Sequence, residues 1–563
     1  MTAVGEPAAP PGEAPAARFR VPRRHRRWLL GAVVAALLAQ LAFALASTAV
    51  AQSPTIDEPV YIGTGVTYLR EHDLRYNPEH PPLAKILIGA GAVAGGARLD
   101  ASYAGTQQHV GRHLLYESGN DAQRVLLAAR LPVIVLTVLF GLVVFAFARD
   151  LTGPAGGVAA LALYAFSPDV IAHGSLATLD VPTAGFLLTS VWLVWRARRR
   201  PRLYVPLSGV ALGAAVATKM SALPAVPVLL ALAAVPVWSS RRSRGAGRPV
   251  AAGLLSAVGA GVPAIAVVWA AYLAVDPRLR WTTPADVPAI GGARGTAAGL
   301  LPFPAPFRDG MRVQFGFEDL RWTSFLFGHT YQGSHWYYLP AALLVKTPLG
   351  MLALWAAGVA AMALLPRLRP AAPYVLAPAA VLLAVAMTGH RDLGVRYAIF
   401  IPMFLAVAAA GATVLRWRWA KAAAGVLVLF VAVSSLRAWP YYLPYSNEAF
   451  GGPSKTHLYL HDSNVDWGQD LGRLADRLHD RHPGEQVWLA YKGSGVPSYY
   501  GIHASDPLAV PPDRVRGLLV VSDSWIAKDD PRLAPLVASS EEIGEVGHSI
   551  TIFRRPAQPG TLP

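Results

Sequence analysis

The sequence predicts a polytopic α-helical membrane protein of about eleven transmembrane helices, followed by a small C-terminal extracytoplasmic α/β domain. Three observations predict it. Of the 563 residues, 53% are hydrophobic and only 15% charged, with a mean hydropathy of +0.37. Uncharged runs able to cross a bilayer recur between residues 29 and 436, and basic residues cluster in the turns on one side of them. The net charge of +16 therefore reads as topology, because the arginines gather between apolar segments and not along one face of a polar domain. Nucleic acid is not an expected partner. There is no cysteine, which excludes a disulfide framework and a thiolate metal site.

Residues 1–27 form a basic, Ala/Pro/Gly-rich N-terminus expected to be disordered and cytoplasmic, ending in Arg18, Arg20, Arg23, Arg24, Arg26 and Arg27. The first span, Leu29–Ala51, follows at once. Ala49-Val50-Ala51 has the form of a signal-peptidase site. The uncharged run is longer than the ~7–15 residues of a signal h-region, which favours a retained anchor. Further spans fall at about 131–148, 151–168, 181–195, 203–218, 220–240, 249–275, 347–366, 370–389, 397–415 and 422–436. With the N-terminus inside, the inner turns hold Arg149, then Arg196 to Arg202, Arg241 to Arg248, Arg367 with Arg369, and Arg416 to Lys421. Residues 28–444 thus make a transmembrane domain with two long outer loops, 52–130 and 276–338, rich in tyrosine, tryptophan and histidine.

From residue 445 to 563 charges appear every few positions. β-rich runs at 486–491, 517–525 and 549–554 alternate there with a helical pattern at 470–478, which is a small soluble α/β domain. An odd number of spans places it outside. Asp466 and Gln469 read as a capping-box variant opening that helix.

Lys219, Lys346, Arg391 and Arg396 break the charge rule, since they stand at outer ends of spans where topology gives no reason for a cation. Snorkelling, or pairing with outer acids such as Asp392, is one reading; an anion held at that depth is the other. The acids Asp57, Glu58, Asp169 and Asp180 lie at the same ends. A sugar transferase drawing on a polyprenyl-phosphate donor explains this layout. The lipid lies in the bilayer, its phosphate at headgroup depth meets the cations, and a carboxylate takes the proton of an incoming hydroxyl. Asp57-Glu58 also reads as the N-cap and first-turn acid of an interfacial helix, worth ~1 kcal/mol. Asp180, before Val181-Pro182, reads likewise. A transporter or flippase of lipid-linked sugar is the competing class; it calls for paired half-repeats with midplane ionisable residues, and neither is visible.

Four segments, Thr55-Ile56-Asp57-Glu58-Pro59, Tyr76-Asn77-Pro78-Glu79-His80-Pro81-Pro82-Leu83-Ala84-Lys85, Leu176-Ala177-Thr178-Leu179-Asp180-Val181-Pro182-Thr183 and Ala217-Thr218-Lys219-Met220-Ser221-Ala222-Leu223-Pro224, carry a resemblance. They resemble the protein O-mannosyltransferase and aminoarabinose-transferase group of GT-C glycosyltransferases, in the family's order. The runs from His390 to Tyr397 and from Asp462 to Leu471 are similar to those of bacterial lipid-carrier-dependent members. The resemblance implies inverting transfer of mannose or another hexose from a polyprenyl-phosphate donor, at the outer face of the cell membrane. The implied acceptor is a hydroxyl, on protein Ser/Thr or a glycan.

By the same resemblance Asp57 is the general base, with Glu58 as its partner or replacement, and Asp180 orients the acceptor or a loop. Lys219, Arg391 and Arg396 match the family's basic positions and are the expected lipid-phosphate ligands, with Lys346 added as a candidate from its place at the outer end of a span. Tyr61, Glu79, His80, Lys85, His329 and His335 are candidate substrate contacts. In the aminoarabinose branch an acid before the double proline joins a metal site with a loop histidine. Glu79 occupies that place, with His329 or His335 as the candidate histidine, so a divalent metal is left open and no other cofactor is expected.

Overall fold

The computed structural model describes residues 23–245 and 247–556; of the segment 1–27 expected to be disordered, residues 1–22 lie outside the described residues, whereas 23–27 are helical because they continue the first span toward its N-terminus. The first helix, α1 (Arg23–Ala51), leads into a compact triplet, α2 (Glu58–Arg70), α3 (Leu83–Ala94) and α4 (Gln107–Tyr116). The first expected outer loop is therefore largely helical. Glycines let these helices touch: a Cβ on Gly65 of α2 would lie 2.2 Å from the Lys85 carbonyl of α3, and one on Gly111 of α4 would lie 1.6 Å from the Pro59 carbonyl. With no side chain in the way the backbones close up, and α2 is gripped on both sides.

The central element is α5 (Ala122–Thr152), about 46 Å long at 1.5 Å per residue. Its first turn is capped by Asp121, whose carboxylate accepts from the Arg124 amide at 3.1 Å. Helices α6 (Pro154–Ala165), α7 (Pro168–Gly174), α8 (Asp180–Ala197), α9 (Pro201–Val216), α10 (Ala225–Ser243) and α11 (Pro249–Val275) follow. Pro at the first position opens α6, α7, α9 and α11, where its missing N–H costs nothing. α8 packs on α5 and α9, and α11 on α9 and α10.

In the second expected loop lie α12 (Gly292–Leu300), α13 (Ala305–Glu318) and a hairpin of β1 (Thr323–Leu326) with β2 (His329–Gln332). Then come α14 (Tyr338–Lys346), α15 (Leu349–Leu364), α16 (Ala372–Ala386), α17 (Phe400–Ala409) and α18 (Ala420–Ala438). Among the described residues, five helices are long and apolar enough to cross a membrane, or seven if two bent pairs each count as one span. The pairs, α6 with α7 and α14 with α15, bend by 59° and 119°. Three shorter apolar helices accompany them. The chain is thus a multi-pass, mostly helical protein, and its proline and glycine breaks leave the count of eleven without support from helix length.

The C-terminal region opens with α19 (Leu471–Arg481) and builds a five-stranded mixed sheet from β3 (Val487–Ala490), β4 (Ala504–Ser505), β5 (Gly517–Ser522), β6 (Glu541–Val546) and β7 (Ile550–Arg555), ordered β4-β3-β5-β7-β6. β3 runs parallel to β4 and β5, whereas β7 runs antiparallel to β5 and β6. Leu471, Leu474 and Leu478 of α19 cover Leu518, Val520 and Ile552 on one face, and Leu519, Val521 and Phe553 pack with Leu533 and Leu536 on the other. Burial on both faces is why β5 reads as an unbroken apolar run and not an alternating one. Asp470, not Asp466, stands at the N-cap of α19. Asp466 instead accepts from the Gly468 and Ser524 amides, and Gln469 from the Trp467 amide, so the expected capping box is a folded loop.

Candidate active site

The two adjacent acids at the start of α2 part company, because neighbours on a helix point about 100° apart. Glu58 is fully buried and forms a two-pronged pair with Arg130 of α5, each N–O distance 2.7 Å. It also accepts from the amides of Thr55 at 2.9 Å and Ala177 at 2.8 Å. Arg130 turns its remaining N–H groups to the carbonyls of Ala49, Gln52 and Ser53. Every oxygen of Glu58 is thereby occupied, and the pair binds the end of α1, the start of α2, α5 and the loop before α8 into one knot.

Asp57 stands at the N-cap of α2, yet its side chain makes no capping bond. It accepts from Arg396 Nη1 at 2.5 Å, and its side chain is a quarter exposed. Arg396 lies on a 3-10 turn before α17, its guanidinium 4.4 Å from the Trp467 ring centre and 5.2 Å from that of Tyr397. The strand of chain bearing Asp57 is held from the C-terminal region. The Ser53 amide donates to the Gln469 carbonyl at 3.0 Å, the Ile56 amide to the Trp467 carbonyl at 2.9 Å, and Ser494 Oγ to the Ile56 carbonyl at 2.7 Å.

Asp180 opens α8 and accepts from Lys219 Nζ at 2.5 Å. Lys219 comes from the tight turn between α9 and α10, and its ammonium sits 5.4 Å from the Tyr397 ring centre. Arg391 is held at 2.9 Å by Glu318 and at 2.8 Å by Gln314, both on α13. These groups meet at one cavity of about 640 Å³ whose wall includes Tyr61, His80, Asp180, Lys219, Arg391 and Arg396. Leu187, Leu223, Leu382, Val385 and Phe400 supply an apolar side to the same space. Asp57 stands behind Arg396 rather than in the wall.

His80 reaches the cavity because the loop carrying it is pinned from beneath. Lys85 Nζ donates to the carbonyls of Asn77 and His80, each at 2.7 Å, and to Tyr68 at 2.8 Å. Burial, then the charges of Lys219, Lys85, Arg391 and Arg396, hold the His80 imidazole well below its usual pKa and therefore neutral. Lys85 itself is fully enclosed and away from the wall. Glu79 faces Asn77 Nδ2 at 2.8 Å and Gln107 Nε2 at 3.0 Å, and burial raises its carboxyl pKa.

The other expected residues sit elsewhere. Lys346 is fully buried against the Leu443 and Asn464 carbonyls at 2.5 and 2.9 Å, with Asp169 at 3.5 Å, and does not line the cavity. Two carbonyls accept from its ammonium and the nearby carboxylate offsets its charge. His329 is exposed on β2, and the His335 ring stacks between Tyr331 and Tyr337 while its amide donates to Asp392. Neither hydrogen-bonds Glu79. Among the described residues no three His, Cys, Asp or Glu converge to hold a metal. Gln314, Glu318 and Arg130 carry no motif that marks them in the sequence, and Trp467 lies in the run where only Asp466 and Gln469 stand out.

Residues 122–269 match the family model of dolichyl-phosphate-mannose-protein mannosyltransferase. By this segment the chain is a glycosyltransferase. The match agrees with the GT-C resemblance of the motifs; it contains Asp180 and Lys219 and leaves out Asp57, Arg391 and Arg396. Among solved structures the chain is similar to ArnT from Cupriavidus metallidurans bound to undecaprenyl phosphate, at 14% identity and a TM-score of 0.46, covering 95% of this chain and 99% of that one. It is similar to the Archaeoglobus fulgidus oligosaccharyltransferase tethered with an acceptor peptide at 10% identity and a TM-score of 0.42, covering 95% and 75%. The S. cerevisiae Pmt1-Pmt2 complex bound to its sugar donor gives 19% identity and a TM-score of 0.30, covering 43% and 33%. No curated protein sequence matches the chain.

Proposed function

We propose that the chain transfers a hexose, mannose first, from a polyprenyl-phosphate donor to an acceptor hydroxyl, with inversion and with Asp57 as general base. The observation that carries this reading is the cavity itself. Lys219, Arg391 and Arg396 converge on it beside an apolar wall, and a carboxylate waits on one of the three cations. The cations suit the lipid phosphate and the apolar wall suits the first isoprene units.

Asp57 and Arg396 neutralise each other across their ion pair. A donor phosphate arriving at Arg396 competes for that guanidinium and frees an Asp57 oxygen to face the acceptor. The acceptor oxygen then bonds to the anomeric carbon as the bond from that carbon to the phosphate oxygen breaks. The electron pair leaves on the phosphate, whose charge the cations stabilise, and the hydroxyl proton passes to Asp57. A single displacement inverts the anomeric centre. Asp180, paired with Lys219, keeps that ammonium aimed at the phosphate and orients the acceptor side.

Glu58, sealed by Arg130, supports α2 and takes no part in proton transfer. Protein Ser/Thr is the proposed acceptor, in keeping with the family of residues 122–269. The membrane orientation that fits puts the cavity and the C-terminal region outside the cell and the N-terminus in the cytoplasm. The test is transfer of labelled mannose from polyprenyl-phosphate-mannose to a Ser/Thr peptide pool by the purified chain and by Asp57→Asn. Turnover in the wild type, lost in the variant with donor binding kept, supports the reading. Equal turnover in both removes Asp57 as base, and no turnover in either returns the donor sugar, then the flippase reading, to the front.

A further inference from the structure

The end of α8 remote from Asp180 borders a second cavity, about 550 Å³, framed by Arg196, Arg198, Arg199 and Arg200 with Trp195 and the single acid Asp150. α8 has 18 residues, so about 27 Å of helix separates the two cavities, close to the ~30 Å of a hydrocarbon core. They lie a bilayer's depth apart on one helix.

Charge here is not balanced. Arg196 Nε donates to Asp150 Oδ2 at 2.9 Å, and Trp192 Nε1 donates to the same oxygen at 3.0 Å. Arg198, Arg199 and Arg200 have no acid partner among the described residues. Arg198 is nonetheless fixed, its guanidinium 4.3 Å from the Trp195 ring centre and 6.0 Å from that of Tyr374. A guanidinium laid on an aromatic face keeps its N–H edge for a planar, bidentate anion, and it is less strongly hydrated than an ammonium.

A second observation says what kind of anion. Tyr374 also lines an apolar groove of about 560 Å³ between α10 and α16, with Val228, Leu232, Val235 and Ala377 along it. Cationic edge and apolar groove therefore meet at one aromatic ring. We infer that this corner binds one anionic phospholipid, its phosphodiester on Arg198 and Arg199 and an acyl chain in the groove between α10 and α16. A free phosphate would use the arginines and leave the groove without purpose.

The test uses the full chain in nanodiscs of phosphatidylcholine, into which phosphatidylglycerol is titrated while the melting temperature is followed. The wild type is expected to gain roughly 2 °C or more, saturating with lipid fraction. Arg198→Gln/Arg199→Gln is expected to lose that gain while melting like the wild type in pure phosphatidylcholine; Arg196, Arg200 and Arg202 remain to keep the topology. Arg241→Gln/Arg244→Gln, in another exposed basic turn, is expected to keep it. Native mass spectrometry of the wild type is expected to retain one phosphatidylglycerol per chain, whatever the variants do. No retained lipid, an equal loss of the gain in both variants, or the same gain from inorganic phosphate would overturn the site.

Discussion

Arg396 lies face-on to Trp467, guanidinium to ring centre 4.4 Å, and in that position its Nη1 reaches Asp57 at 2.5 Å. Three distant stretches of sequence thus meet at one charge. The indole is 1% exposed and sets where the cation can stand. Because its backbone carbonyl also takes the Ile56 amide, Trp467 fixes both partners of the pair.

Trp467→Leu keeps an apolar filler and removes the aromatic face. A desolvated cation–π contact is worth about 1–2 kcal/mol, so kcat for sugar transfer is expected to fall roughly 5- to 30-fold. Donor KM, set also by Lys219 and Arg391, should move less. A steady-state comparison of the two constants checks it.

Glu58→Gln and Asp57→Asn are neighbours in sequence and should behave as opposites. The first leaves the fully buried Arg130 without its counter-charge, a loss of about 3–5 kcal/mol, seen as poor accumulation and early melting. The second removes a partner that is a quarter exposed, from a cation that lines a cavity, so it should cost less stability than the first while lowering kcat by roughly 10²–10⁴. Equal melting of both variants would refute the division of labour.

Gly111→Ala should unseat α2, since the new methyl would start 1.6 Å from the Pro59 carbonyl. A destabilisation of about 1–3 kcal/mol is expected, with turnover falling as the start of α2 shifts. Gly425→Ala, in α18 with nothing within 4 Å, should be neutral or stabilise by about 0.5–1 kcal/mol. Thermal melts of the two variants side by side test this.

The C-terminal sheet should tighten in mild acid. Burial and the charge of Asp466 push the Asp523 carboxyl up to about 7, although Thr551 Oγ1 donates to it at 2.7 Å. The folded state therefore holds a proton that the unfolded chain releases near pH 4. Stability falls as pH rises from about 4 to 7 and stays low above. Asp523→Asn should melt higher than the wild type at pH 8, with the gap closing toward pH 5.

The cavity was readable where a residue broke a rule. Lys219, Arg391 and Arg396 stood out as cations that topology does not explain, and all three reach the cavity. Lys346 broke the same rule and went elsewhere, because a buried ammonium can be satisfied by carbonyls that no one-dimensional pattern records. The resemblance ranks Asp57 ahead of Glu58, but the residues alone do not show how their surroundings differ, since that difference is one step of helix rotation and a partner, Arg130, 72 residues away. Gln314 and Glu318 sit on an amphipathic helix whose polar face looks like any other. β6 was missed because Glu541, Glu542 and Glu545 mark an exposed edge strand and read as loop.

The bonds from Ser53 to the loop ahead of α19 span 415 positions of chain, as between Ser53 and Gly468. At roughly 5–20 residues per second of synthesis, the segment carrying Asp57 waits on the order of half a minute or more on the ribosome for the residues that clasp it. Until then Trp467 is not there to set the pair. On the proposed mechanism, a product truncated before residue 460 lacks Trp467 and is expected to transfer no sugar.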